Sequence, residues 1–335
     1  MRSSLLTPII ICASVGAVGG LVVTMIVPDS LIGNILFGAL YGLVFALLAA
    51  PRAVSAGSGL LWGLGYAFIL WLAIPAGIFP VLTDRMPMMG MLDTARGQFP
   101  ELVAYMLGFG TPLGLALGAW GAFQPYPGQP TFSLPRAVVV GGLSGLVGGW
   151  AFGKWMAQVN FFPLIAGLVN SESVMVGMTL HFIFAVIIGA SFGVLFQRDV
   201  RGFGSSMGWG TGYGLLWWFL GPLTILPIWQ GHRLDWSYRR GSLLFGSLVG
   251  HIIYGLIVGL IYAALDKLWI GFFKESDPIN REPEGPGSGS CTRWDTVHWR
   301  VWWGECCLRW FCWSSGSCPK WRISSAVHQL SWGSW

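Results

Sequence analysis

The chain has 335 residues, of which 54% are apolar and only 10% are charged, and its mean hydropathy is +0.64. Soluble domains carry about 25% charged residues, so the composition excludes ordinary soluble domains and predicts a protein embedded in the lipid bilayer. The net charge of +5 falls to +2 over residues 1–285, which hold 14 Lys and Arg against 12 Asp and Glu. No basic block or stripe is present, so no nucleic-acid partner is predicted.

Eight membrane-spanning helices are predicted, because runs of about twenty apolar residues cross the hydrocarbon layer. Backbone polar groups in lipid must pair within the segment, which makes these runs helices. The apolar run after Arg2 lacks a clear cleavage site, so it is interpreted as the first span and not as a signal peptide. The predicted spans are 5–27, 31–50, 58–82, 102–123, 137–157, 178–196, 205–229 and 243–266. The fold class is therefore an all-α polytopic bundle.

An internal repeat organises these spans. Residues 57–82 align without a gap with residues 204–229, and ten of the 26 positions are identical. Composition alone would give about two or three identities, so the match predicts a duplicated module. The identities include the pairs Trp62/Trp209, Tyr66/Tyr213, Trp71/Trp218, Pro75/Pro222 and Pro80/Pro227.

The duplication is predicted to cover four spans in each half, residues 1–125 and 126–273. Four is an even number, so both halves enter the membrane from the same side and form parallel repeats about an axis along the membrane normal. Glycine patterns align the first two spans of each half, with GALYG at 38–42 placed on GASFG at 189–193. In this alignment Ser30 and Met106 stand at the positions of His181 and His251, so the first half lacks the histidine pair.

Two stretches differ between the halves. Residues 160–177 are apolar but are interrupted by Pro163 and by polar residues, which predicts a short interfacial or re-entrant segment. The first half instead has a longer loop at 83–100. Eight Lys and Arg lie on the N-terminal side of the predicted topology against six on the other, a bias that predicts cytoplasmic termini in a cell (inner) membrane.

The end of the chain changes character. Residues 274–290 form a charged Pro/Gly/Ser linker, and residues 291–335 contain nine tryptophans and five cysteines without periodicity. Trp is encoded only by TGG, which gives glycine when it is read one base later, and Cys codons then give Val or Ala. We hypothesise that this tail is an out-of-frame reading of a third repeat. A genomic sequence whose shifted frame holds stops, or no run rich in Gly, Val and Ala, would reject the hypothesis.

Glycines four residues apart lie on one helical face and let two helix backbones approach closely. They predict helix packing, with self-association or a membrane partner as a consequence. The predicted packing glycines are Gly38, Gly42, Gly141, Gly145, Gly149, Gly153, Gly189, Gly193, Gly255 and Gly259.

The candidate ligand-binding residues are polar and aromatic side chains inside the spans. His181 and His251 could bind a metal, relay a proton or ligate a haem, or each could bond a neighbouring helix and fix its packing. Tyr66, Tyr213, Trp217 and Trp218 could line a cavity, or could anchor span ends at the interface. The paired prolines at equivalent span ends favour a transport site, or simply terminate each helix.

No catalytic residues are predicted, because no nucleophile elbow, HExxH motif, Walker loop or carboxylate pair is present. No cofactor or metal is predicted either. The methionines at 86–91 lack an accompanying His or Cys, which favours an interfacial loop over a Cu(I) site. The spans are expected to lack the charged residues that ion-coupled pumps carry.

The second half resembles uncharacterised bacterial inner-membrane proteins of the YagU type. The residues that carry the resemblance are Trp209, Gly210, Gly212, Pro222, Pro227, His251, Tyr254, Gly255 and Gly259. The resemblance implies a helical membrane protein and supplies no substrate. Two functions follow from the sequence: a non-catalytic membrane module for helix packing or complex formation, or a transporter of a small molecule or ion with its site between the halves.

Overall fold

A computed structural model describes residues 5–24, 30–76, 78–83, 90–124 and 131–273. Within these ranges the chain is helical and has no strand, and eight helices are long and apolar enough to cross a membrane. They are α1 (Leu6–Thr24), α2 (Leu31–Ala49), α3 (Ala56–Ala73), α4 (Phe99–Ala122), α5 (Leu134–Gln158), α6 (Val174–Phe196), α7 (Phe203–Trp229) and α8 (Phe245–Phe273). Large apolar side chains such as Ile32 and Leu36 stay exposed on the helices, as lipid contact requires. The prediction of an all-α multi-pass membrane protein is confirmed.

Several helix ends differ from the predicted spans because local chemistry sets them. Ser55 caps α3 through a reciprocal pair of hydrogen bonds with Ser58, which satisfies free N–H groups of the first turn. The predicted third span is interrupted near Pro75: α3 ends at Ala73 and a separate short helix covers Ile78–Leu82. The last helix runs seven residues past the predicted 266, to Phe273.

Two helices contain a π-helical turn. The turn in α4 covers Tyr105–Gly110 and the turn in α7 covers Gly221–Ile225. In each case a threonine hydroxyl donates to the carbonyl five residues earlier, from Thr111 to Met106 and from Thr224 to Phe219, both over 2.8 Å. Such side-chain bonds satisfy backbone groups that the widened turn releases within the apolar layer.

Helices pair through glycine. A methyl group at Gly63 would overlap the carbonyl oxygen of Gly110, and one at Gly210 would overlap that of Gly255. Close pairs of this kind join α3 with α4 and α7 with α8. The same kind of contact joins α1 with α2, where Gly16 meets Gly38, and α5 with α6, where Gly145 meets the Ala185 carbonyl. All ten predicted packing glycines are buried within the chain.

Hydrogen bonds of the same kind occur at positions that the predicted duplication pairs. The indole N–H of Trp71 donates to the Gln98 carbonyl over 2.8 Å, and that of Trp218 donates to the Leu244 carbonyl over 3.2 Å. In both halves the acceptor lies just before the fourth helix. Tyr66 donates to the Tyr41 carbonyl over 2.9 Å.

In the second half, the equivalent tyrosine, Tyr213, reaches the equivalent carbonyl through the hydroxyl group of a serine. Tyr213 bonds Ser191 over 2.7 Å, and Ser191 donates to the Ile188 carbonyl over 2.8 Å. Ile188 lies 147 residues after Tyr41, and Tyr213 lies 147 residues after Tyr66, so one offset relates both partners.

Helix contacts shift the alignment of the second span by one turn. Gly16 packs against Gly38 and Gly42, whereas Gly145 packs against Ala185 and Gly189. If Gly16 is aligned with Gly145, each residue of α2 pairs with the residue of α6 that lies 147 positions later. The same separation relates α3 to α7. In this register the counterpart of His181 is Asn34, in place of the Ser30 expected from glycine patterns.

Charged residues enter the helix ends, contrary to the expectation that the spans lack them. Arg136 in the first turn of α5 lies 3.4 Å from the carboxylate of Asp266 near the end of α8, and both side chains are at least 87% buried. The expectation was wrong here because Asp266 is the last residue of the predicted span and because α5 begins at Leu134, before the predicted 137, and so includes Arg136. The linker, the tail and the methionines at 86–89 lie outside the described residues.

Candidate ligand-binding cavity

A cavity of about 380 Å³ lies inside the second half, among α5, α6, α7, α8 and the segment that precedes α6. Its walls are almost wholly apolar and aromatic. Apart from backbone groups, the polar atoms at its lining belong to a few residues. These are His181, His251, Trp217, Ser247 and Tyr254, together with the edge tryptophans Trp155 and Trp229. A cavity of this kind, apolar with few polar groups, is typical of small-molecule sites.

His181 is held in one tautomer by the backbone. Its Nε2 lies 2.8 Å from the Gly149 carbonyl oxygen, and because a carbonyl only accepts, the proton is on Nε2. The neighbouring glycines make room for the ring: a methyl group at Gly153 would stand 3.4 Å from this nitrogen. The Nδ1 atom is therefore left as a hydrogen-bond acceptor.

His251 has the opposite tautomer. Its Nδ1 donates to the Ser247 carbonyl over 2.8 Å, one turn earlier in α8, which leaves Nε2 as the acceptor. Among the described residues, the buried polar atoms that lack a hydrogen-bond partner include the indole nitrogen of Trp217. His181 Nδ1 and His251 Nε2 are not among them. Both histidines line the cavity.

Phe152 packs against both histidines. Its ring centroid lies 5.6 Å from that of His181 and 5.0 Å from that of His251, edge to face in each case. Gly250 provides the space, since any side chain there would overlap the Phe152 ring. No group of three or more His, Cys, Asp or Glu that could hold a metal occurs among the described residues. Phe152 and Gly250 thus set where the two imidazole rings lie.

Trp217 lines the cavity with its ring and not with its donor. Its indole nitrogen is buried and has no surface that a ligand in the cavity could reach. The ring meets Tyr213 edge to face, with centroids 6.1 Å apart.

The segment predicted as interfacial or re-entrant forms one wall. It contains a short helix, Phe162–Ala166, and a 3-10 turn, Gly167–Val169, and it contributes Phe161, Leu164, Ile165 and Leu168 to the cavity lining. It packs onto α6 at Gly177, where a methyl group would overlap the Phe162 carbonyl oxygen. Because the first half lacks this segment, the wall is specific to the second half.

The candidate residues do not form one site between the halves. His181, His251 and Trp217 line the cavity, whereas Tyr66, Tyr213 and Trp218 do not. Tyr66 and Trp218 are engaged by carbonyl groups within their own halves, and Tyr213 bonds Ser191. These three side chains fix helix packing.

Sequence reasoning missed Phe152 and the wall segment as parts of the site. The signal for the segment was present, since residues 160–177 were singled out as an apolar insertion. Nothing in the sequence shows that Phe152 contacts both histidines, because that contact depends on how α5 packs against α6 and α8.

Comparison with known proteins adds no relative from which a role could be transferred. The resemblance to YagU-type proteins stays a prediction. No family model, curated protein or solved structure matches this chain.

Proposed function

We propose that this integral membrane protein binds a small, largely apolar molecule in the second-half cavity. The observation that carries the proposal is the pair of imidazoles whose backbone bonds leave His181 Nδ1 and His251 Nε2 as acceptors at an apolar cavity of about 380 Å³. Acceptor nitrogens that no described residue bonds favour a ligand that donates a hydrogen bond to them.

The polar end of the ligand follows from the tautomers. Two acceptor nitrogens favour a ligand with a hydroxyl or another donor group. The remainder is apolar, as the walls are. Alcohols, phenols and protonated fatty acids have this combination. Carriage of such a molecule across or along the bilayer is the transport form of the same proposal.

Thermal stabilisation tests the proposal, with purified protein truncated after Ser290 and a panel of apolar alcohols, phenols and fatty acids, together with metal ions and haem. A bound ligand stabilises the folded state by an amount that grows with the logarithm of its concentration relative to Kd. We expect one class of the apolar ligands to raise the melting temperature of the parent. His181→Ala and His251→Ala should each lose the rise.

The matched control is His232→Ala, since His232 lies in an exposed position after α7. This variant should keep the full rise. Stabilisation of the parent and both cavity variants to the same extent would contradict the proposal. If no ligand stabilises the parent and both variants are only less stable than the parent, the histidines serve in helix packing and not in ligand binding.

The other function expected from the sequence, a non-catalytic module for self-association or complex formation, has less support. Its basis was the glycine faces, and all ten glycines are buried against helices of the same chain. A partner would therefore have to use other surfaces.

A further inference from the structure

The second-half cavity lies along the seam between α6 and α7, which is closed at one end. There Ser191 of α6 bonds Tyr213 of α7 over 2.7 Å. The ring of Phe196 stacks on that of Trp209, with centroids 5.9 Å apart. Residue numbers rise along one helix as they fall along the other in these contacts, so the two helices run antiparallel.

Farther along the same seam, the cavity separates the two helices. About two turns beyond those contacts, Phe184 of α6 comes level with Gly221 of α7, and both residues line the cavity. A methyl group at Gly221 would meet no atom of another helix within 4 Å. The seam is therefore open where α7 has its π-helical turn.

Exposed apolar side chains mark where this opening reaches the surface. Ile187 of α6 and Ile225 of α7 both line the cavity, and they are 57% and 39% exposed. Ile187 lies in the central part of α6, which covers Val174–Phe196. The central part of a span faces the hydrocarbon layer, so the opening leads sideways into lipid.

The first half carries a different residue at this position. It has its own cavity, of about 430 Å³, and Ile74 lines that cavity at the place that Gly221 takes in the second half, 147 residues later. Tyr41 stands in the same way for Ile188, and Glu101 also lines the first-half cavity. The glycine at the opening is thus specific to the second half.

We propose that the second-half cavity takes up a single-chain lipid with a hydroxyl group from the bilayer, through the opening between α6 and α7. The hydroxyl lies at the histidines, and the end of the chain stays in the bilayer. This inference rests on the function proposed above and adds the ligand's source and its chain. Lipid tails are as apolar as leucine side chains, so carbons outside the cavity remain in lipid at little cost.

A second exit lies at the end of α7. Trp229 lines both the cavity and a neighbouring depression, whose lining includes Asn170 and Gln230. That depression is more polar and lies at the end of a span, so a chain that left the cavity this way would enter water. A methylene group occupies roughly the volume of a water molecule, about 30 Å³, so about a dozen carbons fill the cavity of about 380 Å³. Longer chains therefore distinguish the two exits.

Photo-crosslinking in nanodiscs tests the lateral route. Decan-1-ol that carries a diazirine labels the protein, and unlabelled alcohols from octan-1-ol to octadecan-1-ol compete, each measured as its fraction of the lipid. In the parent we expect octadecan-1-ol to compete as well as decan-1-ol, within about threefold. Competition that ends near twelve carbons would mean a closed cavity or an exit to water. That result would overturn this inference and leave the proposed function standing.

Gly221→Ile places the first-half residue in the opening. We expect it to weaken competition by octadecan-1-ol at least about tenfold and competition by octan-1-ol less than about threefold, because the short chain stays inside. The matched control is Gly208→Ile, at an exposed position of α7 with no atom of another helix within 4 Å of an added methyl group. It should change neither alcohol. Equal weakening of both alcohols by Gly221→Ile would contradict a lateral opening.

A second pair of variants keeps the test decisive if Gly221→Ile is unstable. Ile187→Trp adds bulk on the α6 side of the opening and should also discriminate against octadecan-1-ol. Ile183→Trp, at a 48% exposed position of α6 that does not line the cavity, should not. His251→Ala should weaken competition by every alcohol alike. If no alcohol protects the parent from labelling, both this inference and the proposed function are wrong.

Discussion

At the scale of single residues, the backbone carbonyls decide what the histidines can do. Each imidazole donates an N–H hydrogen bond to a carbonyl, that of Gly149 or of Ser247, and so presents its other nitrogen as an acceptor. A histidine in a span is recognisable from sequence as a candidate. Its tautomer is not, because the carbonyl that fixes it comes from the packing of another helix or from the helix geometry one turn away.

Asp199 joins the two halves at one end of the bundle. Its carboxylate accepts a hydrogen bond from Ser55, the residue that caps α3, and its carbonyl accepts one from Trp209 over 3.2 Å. Burial raises the pKa of Asp199 above its ordinary 3.8, while bonds from Ser55 and Ser58 and the charge of Arg201 oppose that rise.

This raised pKa makes stability depend on pH. The folded protein holds a proton at Asp199 that the unfolded chain releases, so the stabilisation is complete below about pH 3.8 and fades as the pH rises through the raised value. We expect Asp199→Asn, which keeps an acceptor for Ser55, to remove this component. Melting curves across pH 4–8 should show the parent losing stability relative to the variant as pH increases. A constant difference would contradict this account.

At the scale of helices, glycine sets which pairs touch. The repeat of four-residue spacing was readable from the sequence, and it indicated close packing. The partner of each glycine was not readable, because four-residue spacing leaves the register free to slip by one turn. A shift of one helical turn changes the counterpart of His181 from Ser30 to Asn34.

The contact between α5 and α6 gives a direct test of this packing. A methyl group at Gly145 would overlap the Ala185 carbonyl oxygen, and backbone cannot move aside as a side chain does. We expect Gly145→Ala to destabilise the protein by about 1–3 kcal/mol, seen as a lower melting temperature in detergent.

Gly208→Ala is the matched control. Gly208 lies in α7, is exposed, and has no atom within 4 Å of an added methyl group. Alanine there should be neutral or stabilise by up to about 1 kcal/mol, because glycine is unfavourable inside helices. Equal melting temperatures for both variants would mean that the close contact at Gly145 does not hold the helices together.

At the scale of the whole molecule, the halves look alike in their packing and differ in their cavities. Tryptophan and tyrosine bonds recur at positions that the predicted duplication pairs. His181 and His251 in one half, and Glu101 and Tyr41 in the other, give the two cavities different chemistry. Parallel repeats with cytoplasmic termini remain a prediction, which rests on the count of spans and on a small excess of positive charge.

The sequence was sufficient to predict the eight helices, since length and apolarity alone identify a span. It was insufficient to place the site. A position between the halves was expected from the paired prolines, whereas the histidine cavity lies within one half. The wall at 160–169 is local to the second half, and its effect on the cavity depends on the contact of Phe162 with Gly177.

Native mass spectrometry of the protein extracted from its membrane tests the central claim most directly. We compare the parent with Leu168→Trp, which fills the second-half cavity, and with Leu143→Trp, the same change at a 50% exposed position on α5. We expect the parent and Leu143→Trp to carry a small apolar molecule that Leu168→Trp lacks. Identical spectra for all three proteins would contradict the claim that this cavity holds a ligand.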